Sequence, residues 1–305
     1  MNDANRLLTR VGGVEFANPI MPASGTFGSG KEYDEFYDIG KLGAVVTKSV
    51  TLGATKGNPP PRVAETACGM LNAIGLQNEG VEVFLRDLLP PLRRKASRVV
   101  VNVAGKCEED YVALTERLAG ADVDVLEINI SCPNVKEGGI AFGTCADTAA
   151  ALVRRLRRAA GAKPMWVKLT PNVTDIVPIA RAVEEAGADA LVVANTFLGM
   201  AVDIERRRPV LANVTGGLSG PAVHPLVLRL LWQVRAAVKC PLVAAGGVRG
   251  VEEAIAFLMV GASAVQVGAM NFVDPGLCGR LVDDLRTWLR DHGETVEGIV
   301  GTLGG

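Results

Sequence analysis

Residues 242–270, LVAAGGVRGVEEAIAFLMVGASAVQVGAM, contain one complete strand–helix–strand unit and decide the fold class. The runs 242–245 and 264–267 lack the polar alternation of half-exposed sheets, as expected of parallel strands buried on both faces. Between them, 251–260 has a helical pattern and ends at Gly261. Because parallel strands need a crossover connection, this segment predicts an α/β protein with a parallel sheet.

The same kind of unit recurs along the chain. Short runs rich in Val, Ile, Leu and Ala lie near 20–23, 44–48, 99–103, 125–129, 166–169, 190–194, 242–245 and 264–267, with amphipathic segments such as 147–160 and 176–186 between them. These strand–helix units predict a closed (β/α)8 TIM barrel, and with no linker or repeat boundary we expect residues 1–305 to form a single domain. The alternative, a doubly wound open sheet, lacks the GxGxxG turn expected after its first strand.

Two connections are longer than ordinary loops. Residues 51–80 include three successive prolines, and residues 195–225 are rich in glycine. Long connections in a compact domain usually carry function. Each follows a predicted strand, so we expect both on the C-terminal face of the barrel, where enzymes of this architecture keep their chemistry.

The composition disfavours several kinds of partner. Acidic and basic residues nearly cancel, 33 against 32, so no positive excess is available for nucleic acid or an anionic membrane. The first residues lack the apolar stretch of a signal peptide, and no apolar run approaches the ~20 residues of a membrane-spanning helix. The six cysteines lack metal or cluster spacing. We therefore expect a cytoplasmic protein that holds no metal.

Glycine-containing turns follow the last two predicted strands. Gly246 and Gly247 follow the seventh strand, and Gly268 with Ala269 follows the eighth. Barrels often bind phosphate at this pair of loops, through backbone N–H groups that glycine leaves accessible. Either turn alone is explained equally well as a tight turn, but the two together favour a phosphate site.

Lysine and asparagine residues end several predicted strands. Lys48 and Lys168 each close a buried strand, where a lysine needs either a partner or a path to solvent. A flavin would supply a partner, because its reduced ring carries negative charge at N1. Asparagines at strand ends are usually turn formers, but several on one rim would also suit the C=O and N–H groups of a pyrimidine or an isoalloxazine. These are Asn102, Asn129 and Asn195, with Asn72 in the first long connection.

Cys132 follows the fourth predicted strand and precedes a glycine-containing segment, 135–143, that we interpret as a flap. A thiol in this position can be a nucleophile, a general base or an inert side chain. The chain's two histidines, His224 and His292, are distant in sequence, which disfavours a Cys–His hydrolase. From spacing alone, a catalytic role for Cys132 and an inert one stay equally open.

Several segments resemble one enzyme family. The stretch INISCPNVKEGGIAFG at 128–143 resembles the catalytic loop of class 1 dihydroorotate dehydrogenases. PASGTFG at 22–28, TKSVT at 47–51, MLNAIGLQN at 70–78 and PVLANVTGGLSGP at 209–221 resemble the same family in the same order. The resemblance covers essentially the whole chain. It implies an FMN-binding barrel that oxidises dihydroorotate to orotate in pyrimidine biosynthesis.

The resemblance also implies roles for individual residues. Cys132 would be the base that removes the C5 proton of dihydroorotate, while hydride passes from C6 to flavin N5. FMN would be contacted by Ser24, Lys48, Ser49, Asn102, Asn129, Lys168, Ala194, Gly220, Gly246, Gly247, Gly268 and Ala269. The substrate would be contacted by Lys48, Asn72, Ala73, Ile74, Gly75, Leu76, Asn129, Asn195 and Thr196.

Residues 135–143 and 72–78 look most like the NAD-linked subclass, class 1B. That resemblance implies a heterotetramer in which a partner subunit holds FAD and a [2Fe-2S] cluster and passes electrons to NAD. The alternatives are a fumarate-linked class 1A enzyme and a dihydropyrimidine dehydrogenase-like enzyme acting on uracil-type compounds. More remote are a noncatalytic phosphate-binding barrel, which would be colourless, and an aldolase-type barrel that uses Lys168 as a Schiff base.

Overall fold

A computed structural model describes residues 3–131 and 142–304 of the chain. Its central sheet has eight parallel strands, β1 to β8 in chain order, with the bounds Ile20–Pro22, Val45–Val46, Val99–Val103, Val125–Asn129, Met165–Lys168, Ala190–Val193, Leu242–Ala245 and Ala262–Val267. From β2 to β8 each strand pairs with the next, and β8 pairs with β1. The Gly43 N–H donates to the Ile20 carbonyl at 3.0 Å, which joins β1 to the residues just before β2 and closes the barrel.

Helices cover the outside of this barrel. A helical run at 81–95 follows β2, and Glu108–Ala119, Ala146–Ala160, Val177–Glu185, His224–Arg235, Val251–Val260 and Leu277–Asp291 follow β3 to β8 in turn. Shorter helical turns lie at Asp3–Arg6, Ile39–Lys41, Phe142–Thr144, Pro221–Val223, Met270–Val273 and Val296–Ile299. The long helices bury one apolar face each; in Ala146–Ala160, for example, Leu152, Val153 and Leu156 are buried. No helix within 3–131 or 142–304 is long and apolar enough to cross a membrane.

The predicted fold class is confirmed, and the open doubly wound sheet is wrong. Every predicted strand overlaps an observed strand, with ends that differ by at most two residues. The helices predicted at 147–160, 176–186 and 251–260 are found at Ala146–Ala160, Val177–Glu185 and Val251–Val260. That the whole chain forms a single domain stays a prediction.

The two ends of the barrel interior differ in polarity. At the N-terminal end, inward side chains such as Met21 and Trp166 form an apolar plug. The antiparallel hairpin of Thr9–Val11 and Val14–Phe16 adds Phe16, whose ring centroid is 5.7 Å from that of Trp166. Two residues beyond Val100, Val125, Trp166 and Ala264 of this plug, the inward side chains are polar: Asn102, Glu127, Lys168 and Gln266. The plug therefore ends in a polar layer that faces the C-terminal end.

The two long connections build a small antiparallel sheet over the C-terminal end, which we call the outer sheet. Its strands, in order, are Phe197–Met200, Thr215–Ser219, Gly69–Asn72 and Val63–Thr66. A further short pair joins Val202–Asp203 to Arg208–Pro209. The sequence predicts the face correctly but predicts loops where these strands form. Three of the four short strands contain glycine, and the central pairing joins segments that are remote in sequence, as with Gly217 and Asn72.

Candidate active site

A cavity of about 570 Å³ lies at the C-terminal ends of the barrel strands, under the outer sheet. Lys168 and Asn129 line it from the barrel, and Met70, Leu198 and Leu218 line it from the outer sheet. Its size is within the range of cofactor and substrate sites. It occupies the face at which barrel enzymes keep their chemistry.

The structure brings nearly all the predicted site residues onto this one cavity. The predicted cofactor contacts that line it are Ser24, Lys48, Ser49, Asn129, Lys168, Ala194, Gly220, Gly246, Gly247, Gly268 and Ala269. The predicted substrate contacts that line it are Lys48, Asn72, Ala73, Ile74, Gly75, Leu76, Asn129, Asn195 and Thr196. Cys132 lies outside the described residues.

Asn102 is the exception, because it does not line the cavity. The residue is fully buried, and the direct cofactor contact that the resemblance implies for it stays a prediction. It lies behind Ser49, whose Oγ donates to Asn102 Oδ1 at 2.5 Å. The sequence alone does not distinguish residues that line the cavity from residues of the polar layer beneath it, because an inward residue on β3 can belong to either group.

The two glycine turns differ in what surrounds them. Gly246 has a φ of +147° and Gly247 a φ of +78°, in the region that favours glycine. A Cβ on Gly247 would lie 2.6 Å from the backbone nitrogen of His224, so this turn packs directly on the helix that begins there. Among the described atoms, a Cβ on Gly268 would meet only Ala23, at 3.7 Å. The turn after β8 therefore leaves open space beside the cavity.

Lys168 lies at the base of the cavity, and its side chain is only 5% exposed. Its Nζ is 3.2 Å from Gln266 Oε1 and 3.4 Å from Ser24 Oγ, with Glu127 Oε1 further away at 3.8 Å. An ammonium group has three N–H donors. Within the described part of the chain two of them have hydrogen-bond acceptors, and the third is available to a ligand. This arrangement suits an electron-rich or anionic ring edge.

Lys48 is half-buried on another wall of the cavity. Across 3–131 and 142–304, its amino group has no hydrogen-bond acceptor and no carboxylate within ion-pair distance. Burial and, secondly, the nearby Arg62 guanidinium lower the pKa of Lys48 below its ordinary value, against the weaker opposing effect of Glu32 and Glu79. A cation that lacks a protein anion here favours an anionic group on a ligand.

Asn129, Ser131 and Asn195 form a hydrogen-bonded cluster on the cavity wall. Asn129 Oδ1 accepts from Ser131 Oγ at 2.6 Å and from Asn195 Nδ2 at 3.3 Å, and Asn195 Nδ2 also donates to Ser131 Oγ. Because its oxygen accepts these bonds, the Asn129 NH₂ group is the part available to a ligand. Asn72 joins the site from the outer sheet, where its Nδ2 donates to the Gly217 carbonyl at 3.4 Å. Such amides suit the polar edge of a planar heterocycle.

Sequence reasoning missed two groups of site residues. Glu127 and Gln266 belong to the polar layer beneath the cavity. The sequence of the strand, Val-Leu-Glu-Ile-Asn, could have indicated Glu127, because a charged residue seldom occupies a buried strand. Asn172 lines the cavity, and its Oδ1 accepts from the Leu198 N–H at 2.8 Å, which ties the outer sheet to the barrel. The signal for Asn172 was weak, because asparagine after a strand usually forms a turn.

Comparisons with known proteins agree on one family. The family model described as dihydroorotate dehydrogenase matches residues 6–289. A protein of Geobacter sp. (strain M21) is 50% identical over 295 residues, which cover 96% of each chain. One from Bacteroides thetaiotaomicron is 47% identical over 299 residues, 97% of this chain and 98% of the relative, and one from Listeria welshimeri is 51% identical over 282 residues, 92% of each. All three are described as dihydroorotate dehydrogenase B (NAD(+)), catalytic subunit.

Proposed function

The chain belongs to the dihydroorotate dehydrogenase family, and we propose that it is the catalytic subunit of an NAD-linked enzyme that oxidises dihydroorotate to orotate with FMN in its cavity. The reaction is a step of pyrimidine biosynthesis. The observation that carries the proposal is one cavity with three features on its walls: a buried lysine, an open glycine turn and a cluster of asparagines. They match the redox ring, the phosphate and the pyrimidine in turn.

The residues of the cavity fit FMN. The open space beside Gly268 would take the phosphate, with backbone N–H groups of the turns after β7 and β8 as donors. The remaining N–H of Lys168 would lie against the N1 side of the ring, where negative charge accumulates on reduction. Ser24 and Ser49 would offer hydroxyl groups. Bound FMN would supply the two-electron acceptor that the side chains of the protein lack.

Dihydroorotate would bind on the side of the asparagines. The amides of Asn129 and Asn195 would pair with the C=O and N–H groups of the pyrimidine ring. The carboxylate of the substrate would face Lys48, which has no anionic partner within the described residues. These contacts would fix the ring in one orientation, which the reaction requires because C5 and C6 take part differently.

Cys132 would act as the general base, as the family resemblance implies. It directly follows Ser131, which lines the cavity. The thiolate would take the proton from C5, and the electrons of the C5–H bond would form the C5=C6 double bond as hydride leaves C6. A thiol has a reference pKa of ~8.5, so a partly ionised base is available at neutral to alkaline pH.

The electrons would leave through a partner subunit. The names of the relatives specify NAD(+) and a catalytic subunit, and we extend both to this chain. The partner would carry FAD and a [2Fe-2S] cluster in a heterotetramer, as the resemblance implies. The cytoplasmic location expected from the sequence stays a prediction.

Turnover with a panel of substrates and acceptors tests this proposal. We expect dihydroorotate to be oxidised with NAD only when an iron-sulfur flavoprotein partner is added. Efficient turnover of the chain alone with fumarate would indicate the fumarate-linked class, and turnover of dihydrouracil would indicate a dihydropyrimidine dehydrogenase. A colourless protein that does not take up FMN would refute the proposal altogether.

A further inference from the structure

The Glu127 carboxylate, in the middle of β4, has no exposed surface. A buried carboxylate is costly unless hydrogen bonds and an opposite charge compensate it. Glu127 Oε1 accepts from Asn102 Nδ2 at 2.7 Å, and Oε2 accepts from Gln266 Nε2 at 2.5 Å. The Lys168 Nζ, 3.8 Å from Oε1, supplies the charge. The mechanism described above uses none of these contacts.

This carboxylate fixes the orientation of two amide side chains. An ionised carboxylate only accepts hydrogen bonds, so Asn102 and Gln266 must each turn their NH₂ group towards it. Their oxygen atoms then point away from Glu127, towards Ser49 and Lys168. Asn102 Oδ1 accepts from the Ser49 hydroxyl at 2.5 Å, and Gln266 Oε1 accepts from the Lys168 ammonium at 3.2 Å. Ser49 and Lys168 both line the cavity, on different walls.

We propose that Glu127 is a positioning residue that orients Ser49 and Lys168 through Asn102 and Gln266, and thereby sets the affinity and the reduction potential of bound FMN. The inference rests on the proposed function, because it assumes that FMN occupies the cavity. Glu127 itself has no surface on the cavity and acts only through the two amides and its charge.

Two separate effects follow from Glu127→Gln. The new amide carries an NH₂ group, which must face one of the two NH₂ groups already there, so Asn102 or Gln266 has to turn over. Either Ser49 or Lys168 then loses the oxygen that holds it. The substitution also removes a negative charge 3.8 Å from the Lys168 Nζ. The wall of the cavity becomes more positive, which favours the reduced, anionic form of the flavin.

The test measures FMN binding and the flavin midpoint potential in the full chain. For Glu127→Gln we expect oxidised FMN to bind about tenfold more weakly, the worth of one hydrogen bond. A loss confined to the oxidised form corresponds to a positive potential shift of about 30 mV for two electrons. A purely structural role would lower the thermal stability without moving the potential.

The double variant Glu127→Gln/Gln266→Glu is the stricter test, because it restores the hydrogen bonds that Glu127→Gln alone disrupts. The amide introduced at position 127 would accept from Asn102 and donate to the carboxylate introduced at position 266. That carboxylate would lie directly against Lys168. We expect the FMN affinity of the unaltered protein and a potential at or below the original value. Glu184→Gln is the matched control: its Oε1 accepts from two backbone N–H groups far from the cavity, so both readouts should stay unchanged.

The outcomes separate this inference from the proposed function. If the unaltered chain does not bind FMN, the proposed function fails first. If it binds FMN but Glu127→Gln leaves both affinity and potential unchanged, only the role of Glu127 is refuted. If the single variant does not fold, the double variant decides. A folded double variant with the original FMN affinity supports the role, whereas one that loses FMN or fails to fold refutes it.

Discussion

Replacing Gly268 with alanine should weaken FMN binding without destabilising the fold. The added methyl group would have only Ala23 within 4 Å among the described atoms, at 3.7 Å, which is ordinary van der Waals contact. In the loaded protein it would occupy the space through which the phosphate approaches the backbone N–H groups. Losing one hydrogen bond to a charged group costs about 1.5–3 kcal/mol. The expected loss of affinity is therefore about 10- to 150-fold.

Gly247→Ala is the contrasting variant. Gly247 has a φ of +78°, and its Cβ would lie 2.6 Å from the His224 backbone nitrogen. The left-handed conformation alone costs an L-residue about 1–2 kcal/mol, before the overlap is counted. This variant should therefore lower the free energy of unfolding of the apoprotein by at least that amount, independently of any effect on FMN binding.

Two measurements on apoprotein distinguish these effects. Titration with FMN, monitored through the quenching of flavin fluorescence, gives the affinity for FMN. Urea unfolding without FMN gives the stability of the apoprotein. We expect Gly268→Ala to change only the first quantity and Gly247→Ala to change the second. A Gly268→Ala protein that binds FMN as tightly as the unaltered chain would refute a phosphate site beside this turn.

Three further substitutions test other parts of the site. Cys132→Ala should still bind FMN but reduce it with dihydroorotate about 10²- to 10⁴-fold more slowly, because a general base is lost; a near-normal rate in stopped-flow mixing would remove Cys132 from the mechanism. Burial and Arg62 lower the pKa of Lys48, so this lysine loses its charge at a lower pH than an exposed lysine does. The affinity for orotate, measured by titration, should therefore fall as the pH rises through the pKa of Lys48. Lys48→Met should bind orotate weakly and without this pH dependence. If the variant keeps the pH dependence of the unaltered chain, Lys48 does not contact the carboxylate of orotate. Lys168→Met should make the flavin potential more negative, since a cation near N1 is lost; a potential that stays the same would contradict that placement.

The barrel was predictable because its strands are buried on both faces. Runs such as 99–103 and 190–194 are almost wholly apolar, so their position and type are clear without knowledge of the partners. The positions of Lys48, Lys168 and the two glycine turns at strand ends also followed, because all parallel strands of a barrel end on one face. The residue roles came from the family resemblance and not from spacing.

Features that depend on remote partners were not predictable in this way. The outer sheet pairs Gly217 with Asn72, and no local pattern announces a pair so far apart. The glycine turns look alike in sequence, yet Gly247 packs on His224 while Gly268 borders open space. Asn102 and Asn129 both follow the pattern of inward strand residues, but only Asn129 reaches the cavity. Depth along the barrel axis decides this, and it depends on the strand register.

The most direct test of the account is anaerobic mixing of the FMN-loaded chain with dihydroorotate while the visible absorbance of the flavin is followed. We expect the flavin to bleach rapidly and an equimolar amount of orotate to form, before any external acceptor is added. A flavin that stays oxidised in the presence of excess dihydroorotate would contradict the central claim that this cavity oxidises that substrate.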